Sequence, residues 1–288
     1  MSQHRKIPPP VTVPAPATVP APGPDAPGAP PALRPLTARS VVASTLLGLH
    51  PPRLSARLLV ASGELFGIAE NATRTALSRM VAAGELVAVD GTYALTGRLL
   101  ERQTRQDASR RPVARGGDGT WEMAVVTRER RSAGERAALR SAMAALNLAE
   151  LREGVWMRPA NLDPDRQPAA RAVTSAQCTT FVARPDGDPA RLAAGLWDLD
   201  RWSSEAELLR ARMSEVLPSL DTGDQSVFAP AFELAAVVLR HLVADPMLPP
   251  SLLPSQWPGP LLRSEYDTYD RAFTRHWRSW YHAQVQSP

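Results

Sequence analysis

Apolar positions along this chain follow two rhythms, and the changes from one to the other mark out its elements. Val41, Val42, Thr45, Leu46 and Leu49 recur at three-and-four spacing, as do Leu58, Leu59, Leu65 and Phe66, which predicts helices over 38–49 and 55–66. Thr37 and Ser55 stand where N-caps belong, Pro51-Pro52 ends the first helix, and Gly63 weakens the last turn of the second. A third helix is predicted over 70–84. Its Ala72, Ala76, Leu77, Met80 and Val81 share one face, Thr73, Arg74, Thr75, Ser78 and Arg79 fall largely on the rest, and Gly84 stops it. Ala69 is a poor cap for that helix, and Asn71 offers one two residues later. Residues 85–95 then read as two short strands across Asp90-Gly91, a pair suited to a tight hairpin. Three helices followed by a hairpin predict a winged helix-turn-helix over 35–98.

Beyond it, 99–119 reads as a basic linker, a short helix and then a hinge ending in glycines. From Thr120 the pattern restarts: strand-like at 121–127, an amphipathic helix at 132–147, strands at 154–159 and 178–183, and a helix at 189–196. That order predicts a small ferredoxin-like α+β domain over 120–190. The last third, 191–288, is helical, with a helix at 205–217 and a run at 228–243 apolar enough to be buried. Between that run and the C-terminus, the prolines of 245–259 forbid helix and strand while its Leu and Trp residues demand cover, so it is read as an ordered strap. Residues 1–34, nearly all Pro, Ala and Val, are expected to form a disordered arm. The fold class is thus α+β and multidomain.

Charge sharpens the functional reading. Residues 34–115 carry twelve Arg against six acidic residues, whereas 116–288 carry nineteen Arg against twenty-two. A positive field confined to the winged-helix segment favours phosphate contacts, and a duplex major groove admits a helix bearing hydroxyl and guanidinium groups. Thr73, Arg74, Thr75, Ser78 and Arg79 are therefore the candidate DNA-reading residues, with Thr92 and Tyr93 on the wing. On an isolated helix the same residues would serve only to solvate an exposed face; the hairpin decides for the groove.

The segment Arg74-Thr-Ala-Leu-Ser-Arg79, with Leu65-Phe-Gly-Ile68 before it, resembles the recognition helix of PaaX-type repressors of phenylacetate catabolism. Trp121, Leu139 and Gly154-Val-Trp-Met-Arg-Pro159 resemble the central domain of the same family, itself similar to the CRISPR adaptation nuclease fold. Leu196-Trp-Asp-Leu199 and the strap at 245–259 resemble its C-terminal part. The resemblance implies a repressor that binds double-stranded DNA as a homodimer and is released by an acyl-CoA thioester such as phenylacetyl-CoA.

Other classes find less support. A metal-dependent nucleic-acid-processing enzyme would need a carboxylate near the end of the first central strand, where Val125-Val-Thr-Arg128 stands. An architectural DNA binder without an effector is a second alternative. The five histidines and the single cysteine show no metal-ligand spacing, and no nucleophile elbow is present, so no metal, cofactor or catalytic residue is predicted. Trp197, Trp202, Trp257, Trp277 and Trp280 read first as core and second as the lining of a ligand cavity. Without a signal core, a disulfide partner for Cys178 or an apolar run near eighteen residues, a cytoplasmic protein with no membrane partner is expected.

Overall fold

The computed structural model describes residues 36–112 and 118–286, with side chains through residue 282. The Pro/Ala-rich arm and the linker residues 113–117 lie outside the described residues.

The N-terminal part is built from α1 (Ala38–Leu47), β1 (Arg53–Ser55), α2 (Ala56–Leu65), α3 (Glu70–Ala82), β2 (Leu86–Val89) and β3 (Thr92–Leu95). Thr37 caps α1 as expected, its hydroxyl accepting from the Ser40 amide while Ser40 accepts from the Thr37 amide. Ser55, by contrast, makes no side-chain cap. Its residue belongs instead to β1, which pairs antiparallel with β3 and gives the hairpin a third strand in the order β1-β3-β2. Asp90 and Gly91 both adopt positive φ, 49° and 72°, the left-handed pair that a two-residue hairpin requires. Leu46, Leu59, Leu77, Met80 and Leu86 close the core of this part, each at most 2% exposed.

The short helix expected in the linker is α4 (Gly97–Arg110), fourteen residues long and packed on two sides. Its Gln103 amide donates to the carbonyls of Leu47 (3.0 Å) and Leu49 (2.9 Å), closing the open C-terminus of α1. At the other end Ser109 accepts from Arg263 through its carbonyl, and Arg110 bridges Asp267 and Asp270. Arg110 is therefore engaged inside the molecule. It does not add to a free phosphate-binding tract.

The central part consists of β4 (Trp121–Val126), α5 (Ala133–Ala145), β5 (Ala149–Arg152), β6 (Val155–Pro159), α6 (Pro168–Ser175) and β7 (Cys178–Ala183). Strand order β5-β6-β4-β7 with every neighbour antiparallel is the ferredoxin-like arrangement; β5 and α6 complete what the sequence pattern left unread. One sheet face packs on α5 through Ala124, Leu139, Met143 and Leu148, with Cys178 buried among them and its thiol pKa raised by that burial. Trp121 and Met157 face the other way, under α7 (Pro189–Leu196) and the strap.

The C-terminal helices are α8 (Leu199–Thr222), α9 (Phe228–Val243) and α10 (Gly259–Gln286). Helix α8 starts six residues before the predicted 205 and runs on through Pro218. The stretch Gln225–Val243 is long and apolar enough to cross a membrane, contrary to the expectation of no such run, yet α9 packs on α4, α8 and α10 as a core helix. The strap is ordered, as its composition predicts. Leu248 is 4% exposed against the central sheet, and Trp257 stacks on Trp202, itself stacked on His241, with centroids 4.3 Å apart in both pairs. Its backbone is held by side chains from elsewhere: buried Arg158 and Asn161 both donate to the Met247 carbonyl, Asn147 donates to that of Asp245, and Arg263 pairs with the Asp245 carboxylate at 2.7 Å. Trp121, Trp202 and Trp277 are buried, and Trp156, Trp197 and Trp257, half-buried, pack against the core.

Candidate nucleic-acid interface

Helix α3 is set by what lies beneath it. Thr73, Ala76, Leu77 and Met80 form its buried face against α1 and α2. The buried stripe is thus turned relative to the predicted one: Ala72 and Val81 are exposed, and Thr73 takes the place of a core residue. Gly63 of α2 explains the exchange. A Cβ at Gly63 would lie 2.3 Å from the Thr73 hydroxyl, so the missing side chain is what lets the two helices approach with Thr73 between them. Thr73, fully buried, does not reach a groove; the structure removes it from the candidates.

The outer face is polar, as predicted. Opposite the buried stripe, helical periodicity puts Asn71, Thr75 and Ser78 in the outermost row, with Arg74 and Arg79 on its two shoulders; all five are exposed. Sequence reasoning missed Asn71, which it weighed only as a cap. The helix begins at Glu70 with Ala69 as its cap residue, and Ala69 supplies no side-chain bond. Hydroxyls on the ridge rest on their own helix, Thr75 donating to the Asn71 carbonyl (2.7 Å) and Ser78 to that of Arg74 (3.2 Å). Arg74 donates to Glu70 at 2.7 Å in an exposed pair worth under about 1 kcal/mol, readily exchanged for a phosphate. Among the described residues Arg79 has no ion-pair partner.

The base of the ridge is pinned by an ion pair that sequence spacing does not announce. Arg39, on the first turn of α1, donates to both carboxylate oxygens of Glu85, one at 3.0 Å, just after α3 ends. The guanidinium holds the Glu85 carboxyl below its usual range. This ties α1 to the turn between α3 and the hairpin.

The wing differs from expectation. Thr92 and Tyr93 lie on β3, the middle strand, and are half-buried; Tyr93 packs on the core. The outward residues are Val87, Ala88, Val89, Asp90 and Gly91, which carry no cation. Positive charge on this ridge comes from Arg74 and Arg79 of α3 itself; Arg53 on β1 and Arg98 on α4 are exposed as well. Asparagine and arginine on such a ridge match the donor and acceptor pattern of base edges in a major groove, with arginine equally able to grip phosphate.

Three consecutive segments match one family: residues 37–99 the PaaX-like protein, 114–193 the PaaX protein central Cas2-like domain, and 197–283 the PaaX-like protein C-terminal domain. Among solved structures the chain is similar to the uncharacterized protein Rv0674 from Mycobacterium tuberculosis, at 42% identity and a TM-score of 0.62, over 83% of this chain and 97% of that one. Comparison with curated proteins yields no match. With all three parts matched in order, the chain belongs to the PaaX-like family, a family of transcriptional regulators.

Proposed function

We propose that this protein is a cytoplasmic repressor that binds double-stranded DNA as a homodimer through α3 and is released by an aromatic acyl-CoA effector such as phenylacetyl-CoA. The observation that carries the reading is the exposed ridge of Asn71, Arg74, Thr75, Ser78 and Arg79 on a helix packed by its other face. Family membership supports the regulatory role. Thr92 and Tyr93 support the wing from within rather than touching DNA. Effector and DNA are linked reciprocally: if the thioester weakens operator affinity by some factor, the operator weakens thioester affinity by that same factor.

The test is fluorescence anisotropy with an operator duplex selected from random sequence. Arg79→Ala is expected to cost about 1–3 kcal/mol on that operator if the side chain makes a bidentate base contact. Phenylacetyl-CoA is expected to lower wild-type affinity. Binding that ignores both the substitution and the thioester, or no sequence preference at all, would refute the proposal.

A further inference from the structure

A cavity of about 90 Å³ lies where α1 and α4 meet α9 and α10. That is several times the roughly 10–15 Å³ that one water needs. Its walls are largely apolar, with Leu47, Phe232, Leu239, Phe273 and Trp277 among them. Polar side chains interrupt this lining, Thr45, Arg102, Gln106 and Asp270 among them. Among the described residues the Thr45 hydroxyl and the Gln106 side-chain oxygen, on residues 5% and 6% exposed, have no hydrogen-bond partner. Arg102, half-buried, has no ion-pair partner among the described residues. The other charged group of the wall, Asp270, is already engaged by Arg110 at 2.9 Å.

Buried polar groups are ordinarily satisfied, and an unpaired cation in apolar surroundings is costly. Burial, and after it the neighbouring Arg240, Arg105 and Arg39, press the Arg102 pKa down. An apolar hollow with a guanidinium on its wall that has no ion-pair partner among the described residues describes the complement of a ligand: a hydrocarbon body bearing a negatively charged oxygen. The hollow also has the right position. Two walls belong to α1 and α4, and α1 packs directly on α3; the other two belong to the C-terminal helices.

We infer that this cavity is the effector site, taking a small aryl or acyl group with an anionic, oxygen-bearing end, with Arg102 meeting the anion and Phe232, Phe273 and Trp277 enclosing the apolar body. The inference rests on the reading of the chain as an effector-controlled regulator, and it adds the site and its chemistry. A compound seated there sets the separation of α1 from α9 and α10, and so bears on the helix that carries α3.

Isothermal titration calorimetry of the full chain without DNA tests it, with phenylacetate, phenylacetyl-CoA and CoA alone as probes. Either phenylacetate or the thioester is expected to bind, the first result identifying a free carboxylate as ligand and the second an acyl thioester. Ala236→Phe, which fills the hollow, is expected to weaken that binding at least tenfold, and Arg102→Gln at least fivefold, with folding checked by circular dichroism. Should Ala236→Phe fail to fold, Arg102→Gln decides. The inference is overturned if neither probe binds, if CoA alone binds as tightly as the thioester, or if folded variants bind like wild type. Operator affinity of ligand-free protein is measured separately. Loss of ligand binding in the variants with no DNA binding by wild type would sink the regulator reading and leave the site standing.

Discussion

The packing of α2 on α3 through Gly63 and Thr73 makes a quantitative prediction in which two ordinary rules oppose each other. Replacing glycine by alanine inside a helix normally stabilises by about 1 kcal/mol. Here the new Cβ would meet the Thr73 hydroxyl at 2.3 Å, far inside contact distance, with that hydroxyl fully buried. Overpacking of this kind costs about 1–3 kcal/mol, and the distance argues for the upper end. Gly63→Ala is therefore expected to destabilise by about 2 kcal/mol net. Thr73→Ala deletes the obstructing oxygen, which has no hydrogen-bond partner among the described residues, so that change alone should stay within about 1 kcal/mol of wild type. In the double variant the clash is gone and the helix preference remains, giving a coupling of about 2–3 kcal/mol between the two sites. Urea denaturation followed by circular dichroism measures all four proteins, the midpoints carrying the comparison at constant slope. Operator binding adds a second readout: Gly63→Ala should weaken it by displacing α3, while Thr73→Ala should leave it unchanged. Stabilisation by Gly63→Ala whatever occupies position 73 would refute the packing argument, and loss of DNA affinity in Thr73→Ala would return that residue to the interface.

Three further outcomes are expected. Arg158→Met should destabilise by about 3 kcal/mol in thermal or urea unfolding, because the buried guanidinium serves the Pro159 and Met247 carbonyls and the Asn161 side-chain oxygen, and methionine removes all three donations, leaving the Met247 carbonyl with Asn161 alone. The Arg39–Glu85 pair lowers the folded pKa of Glu85, so its stabilisation is present above the ordinary value of 4.5 and is lost as pH falls through the lower folded value. With Arg39 largely exposed the pair is worth about 0.5–1 kcal/mol, and a pH series should show wild type converging on Glu85→Gln in acid; parallel curves would remove the pair from the account. Trp257→Ala, which strips the strap of its stack on Trp202, should cost about 2–4 kcal/mol, measured as a lowered melting midpoint.

What could be read from sequence was whatever local chemistry decides. Thr37 followed by Ser40 makes a cap, Asp90-Gly91 makes a hairpin, and a proline-dense stretch with Leu and Trp makes a strap, because each outcome depends on a few adjacent residues. Helix α3 was legible in place and length but not in rotation. Alanines at 72 and 76 sit equally well inside or outside, and a threonine joins the core only because a glycine ten residues earlier clears space for it. Strand β1 was invisible for a related reason: three residues carry no period, and their pairing with β3 is a distant event. Arg158 stands in Trp-Met-Arg-Pro with nothing nearby to announce burial, since its partners come from 161 and 247. Helix α4 was expected as a short helix in a linker, and its packing went unread because a row of arginines looks like solvent-exposed tether until Asp267 and Asp270 are brought to meet Arg110.

The Met247 carbonyl has a consequence for how freely this loop can drift in evolution. It is the oxygen, not the thioether, that Arg158 and Asn161 grasp, and the residue presents it from a left-handed backbone with φ of 52°. Position 247 is thus open to many side chains in composition but narrow in shape: glycine or asparagine would fit with ease, whereas valine or isoleucine would swing the oxygen away from both donors. Two halves of the molecule are joined there by a bond indifferent to residue identity, so a survey of which side chains are retained would pass over one of its principal joints.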